Sequence, residues 1–401
     1  MTRRVAVTGI GCVSAIGNTA PAFWASCLAG QCGIAQIRGF DMTGIRFQNG
    51  AQARDFDPSK HFDDKQLIPL DRFAQLAIVA AREALAQAQL ELTDEERARA
   101  AIVTGSCYGG KTSEDAAFAS LYRDSQPRLH PMTIPRLMAN AGASALTLEL
   151  GWQGPVWTVS TACSSANHAI GQAYWLVRHG LADVALTGGS EAPFTYGSLK
   201  AWEALRVVSP DTCRPFSKGR AGMVLGEGAG MLVLEPLDRA RARGATVIAE
   251  IAGFGMGADA HHLTQPSAAG AARTLRLALA DANLPPQAIG VANAHGTGTA
   301  ANDVTESAAI RDVFGANRNN LLVTATKSLH GHALGASGAL EAVATILGLQ
   351  NQCVVPTVNF QEPDPDCDVP LCLEQKPWPH GAAVSNSFAF GGLNAVLVFQ
   401  R

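Results

Sequence analysis

The 401-residue chain contains no run of 18 or more apolar residues, so none of it is expected to cross a membrane. An apolar stretch follows Arg3 and Arg4, but Gly9, Gly11, Ser14 and Gly17 interrupt it. Val5 to Thr8 therefore reads as a first strand entering a turn, not as a signal peptide. Charge is also scarce, at 16% of residues with a net charge of −3 and no long basic block, which excludes a general nucleic-acid footprint. The nine cysteines, at positions 12, 27, 32, 107, 163, 213, 353, 367 and 372, are odd in number and form no C-x-x-C pair. Neither a disulfide framework nor a zinc site is indicated, and a reducing cytoplasm is the expected setting.

What the chain does have is 47% hydrophobic residues and 40 glycines, the composition of a tightly packed α/β body long enough for two structural units. So little charged surface leaves apolar surface for a partner subunit to cover. Short β-branched runs alternate with alanine- and leucine-rich stretches, which predicts a layered α/β fold. Helices are expected at Asp71 to Gln89, Ser165 to Arg178, Ala268 to Ala282 and Ala333 to Leu349. Strands are expected at Val156 to Ser160, Val184 to Thr187, Met231 to Leu234, Val247 to Ile251, Leu322 to Ala325 and Ala395 to Phe399. The glycine-spaced stretch Gly253 to Gly257 is the expected joint, dividing the chain into 1–252 and 253–401.

Three stretches share one local context. Cys163 follows a strand-like run and opens the small-residue helix Ser164-Ser165-Ala166, where the helix dipole is expected to lower the thiol pKa and favour the thiolate. His295 follows Val291 to Ala294 and precedes the loop Gly296-Thr297-Gly298-Thr299; Lys327 and His332 follow Leu322 to Ala325. Ligands of open α/β sheets gather outside the carboxyl ends of the strands, so all three turns are expected to face one crevice. Taken singly, Cys163 reads as a compact buried residue, His295 as a loop histidine satisfied by backbone and His332 as a helix cap. Together, two histidines beside a cysteine can polarise a thioester carbonyl and stabilise the enolate formed when a carboxylate leaves as carbon dioxide. Gly226 to Gly230 precedes a strand where a dinucleotide loop needs a following helix, so it reads as a structural turn. His261-His262 and His330-x-His332 lack a third metal ligand at a recognised spacing.

Four ordered motifs carry a closer resemblance: Val159-Ser160-Thr161-Ala162-Cys163-Ser164-Ser165; Ala294-His295-Gly296-Thr297-Gly298-Thr299 with Asn302-Asp303 and Glu306; Thr326-Lys327-Ser328 with Gly331-His332; and Ser385 to Asn394. They are similar to the signature segments of β-ketoacyl-acyl-carrier-protein synthases, above all the type II elongating branch of the thiolase superfamily. The resemblance implies the thiolase fold, two similar five-layer αβαβα halves related by a pseudo-twofold axis, assembled as a dimer. It implies an acyltransferase that needs no cofactor and takes its substrates from the phosphopantetheine of an acyl carrier protein, with Cys163 as nucleophile and the N–H groups of Cys163 and Phe390 as oxyanion hole. His295 and His332 would support decarboxylation of a malonyl thioester. Lys327, paired with Glu306, would hold the histidines, and Asp303 would order the loop after His295. Thr297 and Thr299 would meet the phosphopantetheine arm, Phe390 would gate the site, and Asn293, Glu341, Ser385 and Asn394 would hold a monovalent cation.

The chain departs from that pattern at several points. Ala389 stands where the family usually has glycine, which implies a gate that moves less or by another path. Tyr108 and Trp202 fall in the acyl tunnel, implying a flattened or shortened pocket for short or conjugated chains. Lys65 is followed by Gln66-Leu67-Ile68-Pro69, less basic than a carrier-docking patch of this family. Two other readings compete. A coenzyme A thiolase needs a second cysteine near the C-terminal glycine-rich segment, where Leu393 stands; a silent chain-length partner lacks the nucleophile, and Cys163 is present. The chain as the active half of a ketosynthase and chain-length-factor heterodimer, in polyene, polyketide or nodulation-type acyl synthesis, stays open beside the homodimer.

Overall fold

Ten strands form one mixed sheet. Residues 2–401 are described, in a computed structural model. In chain order the strands are β1 Val5–Ser14, β2 Ala100–Gly105, β3 Val156–Val159, β4 Val184–Glu191, β5 Gly228–Pro236, β6 Ala249–Ala258, β7 Ile289–Asn293, β8 Leu322–Thr324, β9 Ala382–Phe388 and β10 Leu393–Gln400. Five helices matter for the site: α1 Arg72–Ala88, α2 Ser165–Arg178, α3 Ala268–Asp281, α4 Ala300–Phe314 and α5 Ser337–Asn351.

Across the sheet the order is β8-β7-β9-β10-β6-β1-β5-β4-β2-β3. Each half, read from its outer edge inward, therefore places its own strands third, second, fourth, fifth, first. The pairing directions match as well: β2 runs parallel to β3 and β4, as β7 does to β8 and β9, and the β4-β5 and β9-β10 pairs are both antiparallel. The halves join where β1 pairs antiparallel with β6, through Val5↔Ile251, Ala6↔Glu250 and Val7↔Ala249. This is the two-halved thiolase architecture. Helices α2 and α5 pack between the halves, and α5 is buried from Ser337 through Leu349, which is why its sequence is apolar on all sides and shows no amphipathic stripe.

The glycines of β1 do not end the strand after Thr8; it continues to Ser14 because they admit a helix against it. A Cβ on Gly9 or Gly11 would sit 2.0 Å from the carbonyl oxygen of Ala84 or Ala80 of α1. The stretch Gly253 to Gly257 has the same function in the other half. It is no joint but the middle of β6, where Cβ atoms on Gly253 and Gly255 would meet the backbone of α3 at 2.6 and 2.5 Å. The chain instead crosses between halves at 237–248, so an edge at residue 252 falls inside a strand. Ser165–Arg178 is helical as expected, whereas the helix expected from Ala333 opens as a 3₁₀ turn at Leu334–Ala336 before α5.

Gly9→Ala is expected to destabilise the chain by about 1–3 kcal/mol, because a methyl group must push backbone and not a flexible side chain. Urea unfolding of the two proteins measures this, and an unchanged midpoint would contradict the close approach of α1.

Candidate active site

Cys163, His295, Lys327 and His332 all stand beyond the carboxyl ends of strands, whereas Glu306 and Glu341 come from helices α4 and α5. Cys163 lies four residues beyond β3 and just ahead of α2, and Ala162 before it adopts φ +52°, a left-handed conformation that costs energy in a non-glycine residue. The turn is held by side chains. Ser164 Oγ donates to the Thr161 carbonyl and the Leu393 carbonyl at 2.8 Å, Ser165 Oγ donates to the Ala162 carbonyl at 2.6 Å, and Thr161 N–H donates to Ser165 Oγ at 2.9 Å. His168, one turn into α2, places Nδ1 3.0 Å from Thr161 Oγ1. His295 follows β7, Lys327 and His332 follow β8, and Phe390 lies between β9 and β10. The sulfur of Cys163 and one ring nitrogen from each of His295 and His332 lie within 4.8 Å of one another.

Hydrogen bonds fix which proton each histidine carries. His332 Nδ1 accepts the Leu334 N–H at 3.0 Å, so the ring proton of the neutral imidazole sits on Nε2. His295 Nδ1 faces the Lys327 ammonium at 3.1 Å, a group that only donates, so its proton also sits on Nε2. Burial and then the Lys327 charge hold both histidines well below the usual imidazole range, which keeps them neutral. Two Nε2–H donors thus converge beside the sulfur. That arrangement suits a carbonyl or enolate oxygen, and it is wrong for a metal ion, which needs the Nε2 lone pairs.

Lys327 is fully buried and donates to the His295 carbonyl at 2.7 Å. Its ion-pair partner is Glu341 of α5, not Glu306 as expected. Glu306 is engaged elsewhere: its carboxylate accepts the N–H groups of His295 and Gly296, both at 2.8 Å, and Asn386 Nδ2 at 3.1 Å, so it shapes the histidine loop directly. Asp303 also holds that loop, accepting Phe216 N–H at 2.8 Å and Gly298 N–H at 3.2 Å. It is buried behind the cleft and does not line it, which corrects its expected place among substrate contacts.

Burial pushes the Cys163 thiol up to about 11, opposed by Lys327 and by the N–H groups of Cys163 and Phe390, which point at the sulfur. This reverses the expectation of a depressed thiol pKa: desolvation outweighs the helix terminus, and the resting group is a thiol.

The cleft over Cys163 is narrow, about 90 Å³. Thr297, Thr299, Trp202, Phe390 and the segment His262 to Pro266 line it. Thr299 Oγ1 lies 2.8 Å from Thr297 Oγ1 and caps α4 by accepting Asn302 N–H. Phe390 stacks on Trp202 with centroids 6.3 Å apart, and Tyr108 joins the same apolar cluster behind the cleft wall. Ala389 adopts φ −100° and ψ 160°, ordinary for an L-residue, while Gly391 and Gly392 take the left-handed turn. Among the expected cation ligands, Asn293 Oδ1, Glu341 Oε2 and Ser385 Oγ are buried without hydrogen-bond partners, and Ser385 pairs with Asn293 across β9 and β7. Three such oxygens fit a hard monovalent cation. Asn394 Nδ2 donates to Asp259 at 2.6 Å.

Comparison with known proteins agrees with this geometry. Residues 2–240 match the Beta-ketoacyl synthase N-terminal domain, and residues 248–361 match the Beta-ketoacyl synthase C-terminal domain. The chain belongs to the β-ketoacyl synthase family. It is a condensing enzyme that transfers acyl groups. Relatives of this synthase include Nodulation protein E of a Rhizobium species, 45% identical over the whole of both chains, and 3-oxoacyl-[acyl-carrier-protein] synthase 2 of Staphylococcus aureus, 39% identical over 100% of this chain and 98% of the relative. Among solved structures, the ishigamide ketosynthase/chain length factor superposes with a TM-score of 0.94 at 36% identity, covering 100% of the synthase and 99% of that chain.

Sequence reasoning missed Glu191 at the end of β4. Fully buried and raised to about 7 by burial, it accepts the N–H groups of Cys107 at 2.6 Å, Tyr108 at 3.2 Å and Gly335 at 3.1 Å. It ties the Tyr108 turn of one half to the His332 turn of the other, and no local motif marks it.

Two outcomes follow from the pairings. Alkylation of Cys163 by iodoacetamide, followed by mass spectrometry, should accelerate about tenfold per pH unit from pH 7 to 10, since the thiolate is the nucleophile; a plateau near pH 7 would contradict the raised thiol. Lys327→Met should cost about 3–5 kcal/mol by stranding the Glu341 carboxylate. Adding Glu341→Leu should restore much of that stability in chemical unfolding, whereas adding Glu306→Leu should not.

Proposed function

We propose that this synthase takes an acyl chain from carrier-protein phosphopantetheine onto Cys163 and condenses it with malonyl carrier, and that its pocket selects short, flat chains. The observation that carries this reading is the convergence of two Nε2–H donors on the Cys163 sulfur. In the first step the Cys163 sulfur attacks the thioester carbonyl while the Cys163 and Phe390 N–H groups hold the oxyanion. The carrier sulfur leaves and takes up the thiol proton. Malonyl carrier then enters with its thioester carbonyl on His295 and His332. Loss of carbon dioxide leaves the electron pair in an enolate whose oxygen these two donors stabilise. Its carbon attacks the acyl-Cys163 carbonyl, and the cysteine sulfur departs and regains a proton. Neutral histidines suit this role, because a donor that keeps its proton stabilises the enolate without quenching it.

Thr297 and Thr299, on the cleft wall, would meet the phosphopantetheine arm, and Phe390 would swing away from Trp202 to admit the second substrate. A cleft of about 90 Å³, far below the roughly 300–1,000 Å³ of sites that enclose drug-sized ligands, supports short acyl groups. A monovalent cation would be held by the free oxygens of Asn293, Glu341 and Ser385.

We also propose that the synthase works as a dimer, with a second copy or with a ketosynthase-like partner of the kind named in the ishigamide structure. The outer edge of β8 is covered, Val323 N–H donating to the Pro370 carbonyl at 3.0 Å, but among the described residues no segment covers the outer edge of β3. An open edge strand favours pairing with another chain. Tyr122, Ile134 and Leu148 add large exposed apolar side chains. No helix is long and apolar enough to cross a membrane, in keeping with a proposed cytoplasmic setting.

Intact-mass analysis tests the chemistry. Wild type incubated with short acyl carriers should gain an acyl adduct that Cys163→Ala lacks, and malonyl carrier should convert it to a chain two carbons longer. His332→Ala should still acylate but condense about 10²–10³-fold more slowly. No adduct with any carrier would overturn the reading.

A further inference from the structure

Both oxygens of the Glu191 carboxylate are fully engaged, and one of them bridges the two halves. Oε1 accepts Ser106 Oγ at 3.1 Å and the Tyr108 N–H at 3.2 Å, while Oε2 accepts the Cys107 N–H at 2.6 Å and the Gly335 N–H at 3.1 Å. The bond to Gly335 acts on the turn that follows His332. His332 itself is anchored elsewhere, its N–H donating to the Val224 carbonyl at 2.7 Å and its carbonyl accepting the Gly226 N–H at 2.8 Å. The turn after it is strained: Leu334 adopts φ +46°, a left-handed conformation unfavourable for a side chain of its size. In that conformation the Leu334 N–H reaches His332 Nδ1 at 3.0 Å. Ser337 Oγ also lies 2.8 Å from Nδ1, but a hydroxyl can donate or accept and so fits either tautomer. The Leu334 N–H can only donate, and it decides that the ring proton sits on Nε2. Leu334 has to be held in its strained conformation, and Glu191 grips the residue next to it. The approach is close: a Cβ on Gly335 would lie 2.6 Å from Glu191 Oε2 and 2.4 Å from the Cys107 nitrogen.

We propose that Glu191 is a positioning residue for the condensation step: by gripping the Gly335 N–H it keeps Leu334 left-handed, and Leu334 in turn keeps the His332 proton on the nitrogen that meets the malonyl carbonyl. This rests on the reading of His332 as a donor to that carbonyl. Glu191 does not line the cleft, so it acts through the turn and not on the substrate. The turn of the nucleophile is held by Ser164, Ser165 and Thr161 instead, so acylation does not depend on Glu191. The Cys163 thiol is raised chiefly by burial and in lesser part by the Glu191 charge, so removing that charge favours the thiolate. Loss of Glu191 should therefore slow condensation while sparing or speeding acylation, a split that general loosening of the fold would not produce.

The test separates the two half-reactions in wild type, Glu191→Leu and Glu191→Gln. Acylation of Cys163 by a short acyl carrier, and condensation of the preformed acyl-enzyme with saturating malonyl carrier, are both read by intact mass. Glu191→Leu fills the space but accepts no hydrogen bond; it should acylate at least as fast as wild type and condense about tenfold more slowly. Glu191→Gln, whose carbonyl can take the bridging place without the charge, should fall between, at about threefold. With ¹⁵N-labelled histidine, the His332 Nδ1 resonance should be that of an unprotonated nitrogen in wild type and should move toward the protonated form in Glu191→Leu. If the leucine variant does not fold, the glutamine variant decides by the same three measurements. Condensation at the wild-type rate, acylation and condensation slowed by one common factor, or slowed condensation with His332 Nδ1 unchanged would overturn the positioning role. A wild type that acylates Cys163 but never condenses would instead overturn the reading of His332 beneath it, so the two failures are distinguishable.

Discussion

A single buried ammonium organises the chemistry of this chain. Lys327 has no access to water, so its charge must be met entirely by protein, and the acceptors that meet it are Glu341, the His295 carbonyl and His295 Nδ1. Because an ammonium can only donate, it forces the His295 proton to the other side of the ring, toward the sulfur of Cys163. The tautomer of a residue on β7 is therefore set by a charge that follows β8 and is neutralised from α5. The same charge lies near enough to keep His332 neutral and to draw the thiol pKa partway back from the effect of burial.

Burial and this one charge together explain why the site holds three neutral groups. Desolvation alone would push the thiol further up and the imidazoles down. The lysine opposes the first shift and reinforces the second. The resulting pocket is dry, carries N–H donors and has no resident anion facing the substrate. Such a site favours an oxygen that acquires negative charge only during reaction, which is the requirement of both the tetrahedral intermediate and the enolate.

Much of this was legible in the sequence, because strand-end turns have local signatures. The run before Cys163, the glycine loop after His295 and the paired glycines around His332 each mark the exit of a strand, and the four motifs identified the family. What was not legible depended on contacts far apart in the chain. Glu306 and Glu341 are both acidic residues in helices near the site, and only the packing of α5 against the Lys327 turn decides that Glu341 takes the ion pair while Glu306 caps backbone. The thiol pKa was misjudged for a related reason: the helix terminus is visible locally, whereas full burial is a property of the assembled halves. The glycines of β1 and β6 read as breaks because glycine commonly ends strands, and their role appears only once α1 and α3 lie against them.

The repeated strand order has an evolutionary consequence. Each half offers a turn after its second strand and another after its third, and the two halves have put them to different use. In the first half the turn after β2 carries Tyr108, behind the cleft wall, while the turn after β3 carries the nucleophile; in the second half the corresponding turns carry His295 and Lys327 with His332. The nucleophile and the paired histidines thus reside in opposite copies of one duplicated scaffold. Because the turn after β2 stands outside the cleft lining, substitutions there can accumulate while the machinery beyond β3, β7 and β8 stays fixed.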